Sequence, residues 1–590
     1  MSESAKPFDV HEVSEEIIQH SDGGQLLNWL AQNRLFRRDE FYQAFCECLV
    51  TLHNAQRINL ISAVVSEQFE PTEGRDFWLL QDLICTLIPK LRGNADDMME
   101  AVEKLVGLGG EDMAANQPNA ALREWLVAQP AEVEELLRKA QQEPHCELPA
   151  LTFILEAGAR HDLNRYHEAA IDFLEYDSVA TRRAAVTALS RIDVSGCSFS
   201  QNKSLEALIA FANSTSSGED FGSAIGALLD VHARQPCINA ANVTSIIVAS
   251  GARPNPGLHY FLARALGNYH DRFSVDLQNA IIQVLSSADP SMKGVVDQID
   301  FAFARCFSKR NRLEVAACLE ALFNHEEAPL NLRDLDSFLH ALTTEHEEHM
   351  NWLVVHWLRF GSHFARLQLA KIFTRFSEEG YELTPTMAEF AFCDQELIFV
   401  SRKALGYFIT EASTAASIVI SCLRATTDPK ASETIAGLLY DPLMINFSGK
   451  ARETIDRHSK MKGSHQKRLK AALKAHDEYL DGLRAVGEIP ELRPSSSQLR
   501  VESERQRKQS AQIAKEAEKL SIFANLVTRQ TILFGQGSID YIRNPNGTMR
   551  RSVTMLSSFG TTMEIPRLNV IDPLYLQHIV LNFRREKFSR

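Results

Sequence analysis

With 590 residues, 45% hydrophobic and 23% charged, at a mean hydropathy of −0.18, the chain has ample apolar side chain to bury, which excludes a disordered protein over most of its length. No apolar run reaches the roughly 18 residues that span a bilayer, and the acidic start MSESAKPFDVHEVSEE lacks the basic and apolar regions of a secretory signal, so a cytoplasmic protein is expected. The net charge of −14 conceals an asymmetry: 36 Lys and Arg against 61 Asp and Glu up to residue 449, then 26 against 15 from Lys450 onward, an acidic body followed by a basic final section.

The first 140 residues read as helices. QLLNWLAQNRLF, FWLLQDLICTLIPKL and AEVEELLRKAQQ repeat apolar residues at i, i+3, i+4 and i+7, and Gly107 to Asn119 reads as a loop by composition. This region is expected to be a helical cap or the start of a longer array. Ten cysteines are scattered with no CxxC pair, Cys46 and Cys48 being the closest, which predicts buried reduced thiols rather than a disulfide or zinc framework.

The clearest pattern follows. Asp177 to Leu189 reads DSVATRRAAVTAL, with an Asp at the turn, Arg182 and Arg183 after it, small alanines and a closing Ala-Leu pair. Ala-Leu pairs recur at Ala227-Leu228, Ala265-Leu266, Ala321-Leu322 and Ala404-Leu405, at spacings of 39, 38, 56 and 83 residues. The segment resembles the second helix of a HEAT repeat. That resemblance covers roughly residues 150–445 and implies a mainly α, armadillo-like helical solenoid, each helical hairpin burying its apolar face against the next. It implies architecture and not activity.

Within that span, Glu345, His346, Glu347, Glu348 and His349 precede His356. Imidazoles and carboxylates at such spacing are zinc or iron ligands when a further ligand set accompanies them. None does here, and the tract reads as a solvated turn or helix start, with no metal and no cofactor expected at His346, His349 or His356. Neither a GxxxxGKS/T loop, nor GxGxxG after a strand, nor HExxH, nor GxSxG occurs.

A boundary is expected after Gly449, with helical repeats over 141–449 and a basic helical segment and linker over 450–497. Residues 450–474 hold nine Lys or Arg against two acids, Lys467, Arg468 and Lys470 among them. Ile489 to Ser497 reads as a Pro- and Ser-rich connector. Residues 498–590 are expected to form a basic α+β module. It opens with a long helix whose stripe holds Ile513, Ala517, Leu520, Phe523 or Ala524, and Val527, supported by a Glu504–Lys508 pair. The period then shifts toward 2: strands are predicted around 539–542 and 553–555 across the turn Asn544-Pro545-Asn546-Gly547, with a third over Thr561–Ile565. A final helix has Asp572 as N-cap, Pro573 as N1, and Leu576, Ile579 and Phe583 on one face, with Arg584, Arg585 and Lys587 in its last turn.

Arg543, Arg550 and Arg551 flank the predicted hairpin turn, where arginines meet phosphates or an acidic protein surface. The expected function is a non-enzymatic scaffold or adaptor. It holds a protein partner on the helical-repeat surface and makes a second contact through the basic module. The alternative is a nucleic-acid-binding accessory subunit of a multi-protein DNA-processing or defence complex. A metal-dependent enzyme is third.

Overall fold

The computed structural model describes residues 10–32, 39–66, 74–110, 116–142, 150–194, 197–234, 240–345, 347–373, 381–383, 391–463, 465–487, 493–519, 527–533, 537–543, 549–555 and 564–588. It comprises two compact units, Met1–Leu353 and Val354–Arg590.

Among its described residues unit 1 is built of helices joined by short connections, with no strand. It opens with α1 (Val10–Asp22), α2 (Leu26–Gln32), α3 (Asp39–Asn54), α4 (Leu60–Ser66), α5 (Gly74–Leu87), α6 (Ala95–Gly109), α7 (Gln117–Val127) and α8 (Pro130–Gln142). It continues with α9 (Leu151–Ala159), α10 (Leu163–Asp172), α11 (Val179–Arg191), α12 (Ser198–Ser214), α13 (Gly218–His232) and α14 (Ala240–Ser250). Then come α15 (Pro256–Tyr269), α16 (Val275–Leu285), α17 (Lys293–Cys306), α18 (Arg312–Phe323) and α19 (Asp336–His340), and α20 (Glu347–Phe360) carries the division between units. Side chains set the starts: Ser178, Ser217, Asn255 and Ser274 each accept a hydrogen bond from the backbone amide three residues on, which satisfies an otherwise orphaned helix N–H.

Odd-numbered helices from α1 to α19 pack each on the next odd one, and α10 on α12, α14 on α16 and α16 on α18 form the facing layer. Pairs such as α12–α13 and α15–α16 join the layers. Unit 1 is therefore an α-solenoid of HEAT-like repeats, in which each helical hairpin buries its apolar face against its neighbours. The backbones of α13 and α15 meet at Gly222, where a Cβ would stand 2.6 Å from the Leu258 nitrogen. Arg183 Nε donates to Asp220 Oδ1 at 2.9 Å, and Arg182 Nη1 donates to the Tyr176 and Asp177 carbonyls. The arginines of DSVATRR thus tie α11 to the buried carboxylate of α13.

The repeat anchors divide. Ala188-Leu189, Ala227-Leu228 and Ala265-Leu266 are buried on α11, α13 and α15, three successive helices of one layer. Ala321-Leu322 falls out of register: it lies on α18, in the other layer, with Ala321 exposed. The buried counterpart in the first layer is Ala302-Phe303 on α17, and a Phe in place of Leu concealed it. The loop expected over Gly107–Asn119 is shorter: α6 runs through Gly109 and α7 begins at Gln117, with residues 111–115 outside the described set.

Unit 2 contains α21 (His363–Phe373), α22 (Asp394–Phe408), α23 (Ala412–Ala425), α24 (Pro429–Leu438), α25 (Lys450–Ser459), α26 (Gln466–Val486) and α27 (Ser496–Lys519). Packing of α22 on α24, α23 on α25 and α24 on α26 carries the same alternation through the basic helices. Every described side chain of α27 is exposed, and Lys508 and Glu504 pair on it at 3.2 Å. Three antiparallel strands follow in the order β1 (Val527–Leu533), β2 (Gly537–Arg543), β3 (Met549–Met555).

Two readings of this region need correction. Val527 does not extend the α27 stripe but opens β1, where VTRQTIL is rich in the β-branched residues that suit a strand. A strand not expected from the sequence, β1, thus pairs with β2. Of the strand expected over Thr561–Ile565, residues 561–563 lie outside the described residues, and Glu564 and Ile565 are not in a strand. The turn Asn544–Gly547 also lies outside the described set. The chain ends in α28 (Arg567–Ile571) and α29 (Pro573–Arg585), with the Asp572 side chain accepting from the Tyr575 amide and Pro573 at the helix start.

Candidate partner-binding surfaces

Unit 1 carries a groove of about 590 Å³ bordered by α6, α7, α9 and α11. Its floor is apolar: Met99 and Val106 from α6, Leu122 from α7 and Phe153 from α9. Asp96, Glu100 and Glu103 line one wall, at i, i+4 and i+7 of α6 and so on a single helical face. Arg191 of α11 closes the opposite side, its guanidinium 5.7 Å from the Phe153 ring centroid. Asp96 is engaged by Lys139 Nζ at 3.1 Å. The expected site residues do not include any of these, because each carboxylate reads in the sequence as part of a solvated helical face.

The residues expected to make the second contact are spread over unit 2. Lys467 and Lys470 are exposed on α26, whereas Arg468 donates to the Pro429 carbonyl at 2.8 Å and helps hold α26 to α24. In the sheet, Tyr541 pairs with Arg551, Ile542 with Arg550 and Arg543 with Met549. Successive strand residues face opposite sides. Arg550 and Arg551, both exposed, therefore stand on different faces of β3 rather than in one cluster. Tyr541 and Arg551 share one face across the ladder.

His346 lies outside the described residues. His349 is buried with its ring edge-on to Phe307 at 5.4 Å, and His356 packs against Phe360. Among the described residues no three His, Cys, Asp or Glu side chains gather at metal-binding distance, and no helix is long and apolar enough to cross a membrane. Cys306 and Cys422 are buried, and burial pushes both thiols up to about 12.

The most elaborate polar arrangement lies where α29 meets α22. Lys403 is buried, and its Nζ donates to the carbonyls of Phe583, Arg584 and Glu586 at 2.8, 2.7 and 2.6 Å. Arg584 Nε donates to the Gly406 carbonyl at 2.6 Å and Arg402 pairs with Glu586 at 2.8 Å. Phe588 sits edge-on to Phe399 and under the Arg359 guanidinium. Gly406 allows this approach, since a Cβ there would lie 3.1 Å from the Phe583 Cβ. Farther back, Glu564 accepts from the Gly449 and Lys450 amides, capping the start of α25. Burial, reinforced by nearby Arg366 and opposed by Glu586, pulls the Lys403 ammonium down to about 8, so it remains mostly charged at neutral pH.

Burial also lowers the pKa of six histidines: His167, His259, His363, His458, His465 and His476. In the unfolded chain these take up protons from about pH 6.5 downward, while in the folded chain they stay neutral to lower pH. The unfolded state then binds more protons, and stability falls as pH drops below about 6.5. The melting temperature is expected to be steady from pH 8 to 7 and to fall between pH 6.5 and 5. A curve that rises over the lower interval contradicts the assignment.

No family model and no curated protein matches the chain. Among solved structures it is similar to the karyopherin Kap121p, bound there to the extreme C-terminus of the protein phosphatase Cdc14p, at 11% identity over 84% of this chain and 67% of that one, with a TM-score of 0.28. It is similar to the S. pombe condensin Cnd3–Cnd2 subcomplex at 13% identity over 85% of this chain and 56% of that one, TM-score 0.23. It is likewise similar to Uso1-2 at 11% identity, over 81% of this chain and 87% of that one, TM-score 0.25. The assignment to helical repeats rests on the two-layer packing of the chain's own helices.

Proposed function

We propose that this chain is a non-enzymatic scaffold that holds a protein partner on the helical-repeat surface of unit 1 and makes a second contact through its basic C-terminal section. The carrying observation is the groove on α6, α7, α9 and α11, a concavity of the size that binding sites occupy, with an apolar floor and an acidic wall. Solenoids present extended surfaces of this kind to partners.

The exposed arginines on both faces of β3 favour one second reading, contact with nucleic acid, since arginine pairs with phosphate as readily as with carboxylate. Salt separates the two. Phosphate contacts release counterions, so affinity for DNA or RNA drops steeply between low and physiological salt. Arg550→Gln and Arg551→Gln are expected to leave thermal stability within about 0.5 kcal/mol, as exposed substitutions do. Each is expected to weaken the second contact by about 1–3 kcal/mol. The scaffold reading predicts a stoichiometric protein partner that survives nuclease treatment and a shallow salt slope. A chain that purifies with nucleic acid alone, on a steep slope flattened by either variant, contradicts it.

A further inference from the structure

We infer that the groove of unit 1 takes an extended peptide segment of a partner in which basic residues flank an apolar anchor. This deepens the scaffold reading and rests on it. The chemistry follows from the lining. Met99, Val106, Leu122 and Phe153 offer an apolar floor that rewards a Leu-, Met- or Phe-like side chain. The floor is bounded on one side by the Phe153 ring, with the Arg191 guanidinium carbon 5.7 Å from its centroid.

Charge decides the flanks. Asp96 already pairs with Lys139, but Glu100 and Glu103 are exposed, and among the described residues neither has an ion-pair partner. Like charges on one helical face repel, and a cation from outside relieves that repulsion. The body is acidic as a whole, with 61 Asp and Glu against 36 Lys and Arg in residues 1–449, so a basic segment is also steered toward it. An acidic segment meets repulsion on both counts, with Arg191 as the one basic side chain among the described lining residues to offset it.

Geometry sets the spacing. Glu100 to Glu103, the two carboxylates left unpaired, is three residues of helix, about 4.5 Å at a 1.5 Å rise, and an extended peptide covers that distance in about two residues. The groove therefore reads a Lys or Arg at each end of a short stretch, with the apolar anchor between them. It is a side-chain reader and not a catalytic site.

The test is selection of 12-residue random peptides displayed on phage against the intact chain, run in parallel against Glu100→Lys/Glu103→Lys. Both positions are exposed, so the variant is expected to keep its helical circular dichroism and melting temperature. The wild type is expected to enrich peptides with an apolar residue between two Lys or Arg about two positions apart. A fluorescein-labelled peptide from that pool is expected to bind the double variant at least tenfold more weakly, and Phe153→Ser is expected to weaken it as well. The charge-reversed variant is expected to enrich acidic flanks instead. Selection of acidic or uncharged peptides by the wild type, no enrichment at all, or binding by the double variant as tight as by the wild type overturns the inference. The scaffold reading fails separately, when the chain isolated from native lysate carries no stoichiometric protein. If such a protein is present and the double variant retains it fully, only the peptide assignment falls.

Discussion

Replacing Lys403 with Met is expected to destabilise unit 2 by about 3 kcal/mol and to loosen α29 from α22. Three carbonyls at the end of α29 receive hydrogen bonds from Lys403 Nζ. The last carbonyls of any helix have no partner within it, and a buried acceptor left unsatisfied costs about 1–3 kcal/mol. Methionine restores the aliphatic stem and removes the penalty of burying a charge. Such a swap comes close to neutral only when the charge's partners are removed with it, and here the carbonyls remain. Arg584 to Gly406 and Arg402 to Glu586 persist in the variant, so partial release is expected rather than loss of the helix. Amide hydrogen exchange across residues 573–588 should rise by one to two orders of magnitude, and the denaturant midpoint of unit 2 should fall. Unchanged exchange there would show that Lys403 does not hold the helix.

Trp125→Ala is expected to cost about 3–5 kcal/mol, the range for deleting a fully buried large aromatic. Trp125 has no exposed surface, and its indole Nε1 donates to the Leu91 carbonyl at 2.9 Å, tying α7 to the segment before α6. Because solenoid repeats contact mainly their neighbours, the damage should stay local. The expected record is a new low-temperature melting step confined to residues near α5–α9, with the later helices melting as before, and loss of partner binding through the groove that α7 borders. Trp125→Phe keeps most of the apolar area and should lose only the hydrogen bond, about 1 kcal/mol. A single cooperative transition at reduced temperature contradicts the local-unfolding picture.

How far the sequence reached depends on whether a feature is local. The helical repeats were legible because burial every third or fourth residue leaves a periodic trace, and DSVATRRAAVTAL showed its arginines at the positions that bind Asp220. Asp572 and Pro573 were legible as a helix start for the same reason. Beyond that, each residue took its role from a distant partner. Lys403 sits in VSRKALGYF like any surface lysine, and only the arrival of α29, some 180 residues later, turns it into a buried cap. β1 was hidden by an apolar spacing that Ile513 through Val527 satisfies as a helix, while its strand character comes from pairing with β2. The Arg543, Arg550 and Arg551 grouping assumed one tip, yet the strand period places Arg550 and Arg551 on opposite faces. The groove was invisible, since its lining comes from four helices between Asp96 and Arg191.

The most direct test of the account is hydrogen–deuterium exchange on the complex purified under native conditions, compared with the same chain stripped of its partner in high salt. The account predicts a stoichiometric protein whose presence slows exchange in α6, α7, α9 and α11 around the groove, with a second, smaller footprint on β3. Protection confined to residues 527–588, or no protection anywhere on the helical layers, would contradict the claim that the helical-repeat surface holds the partner.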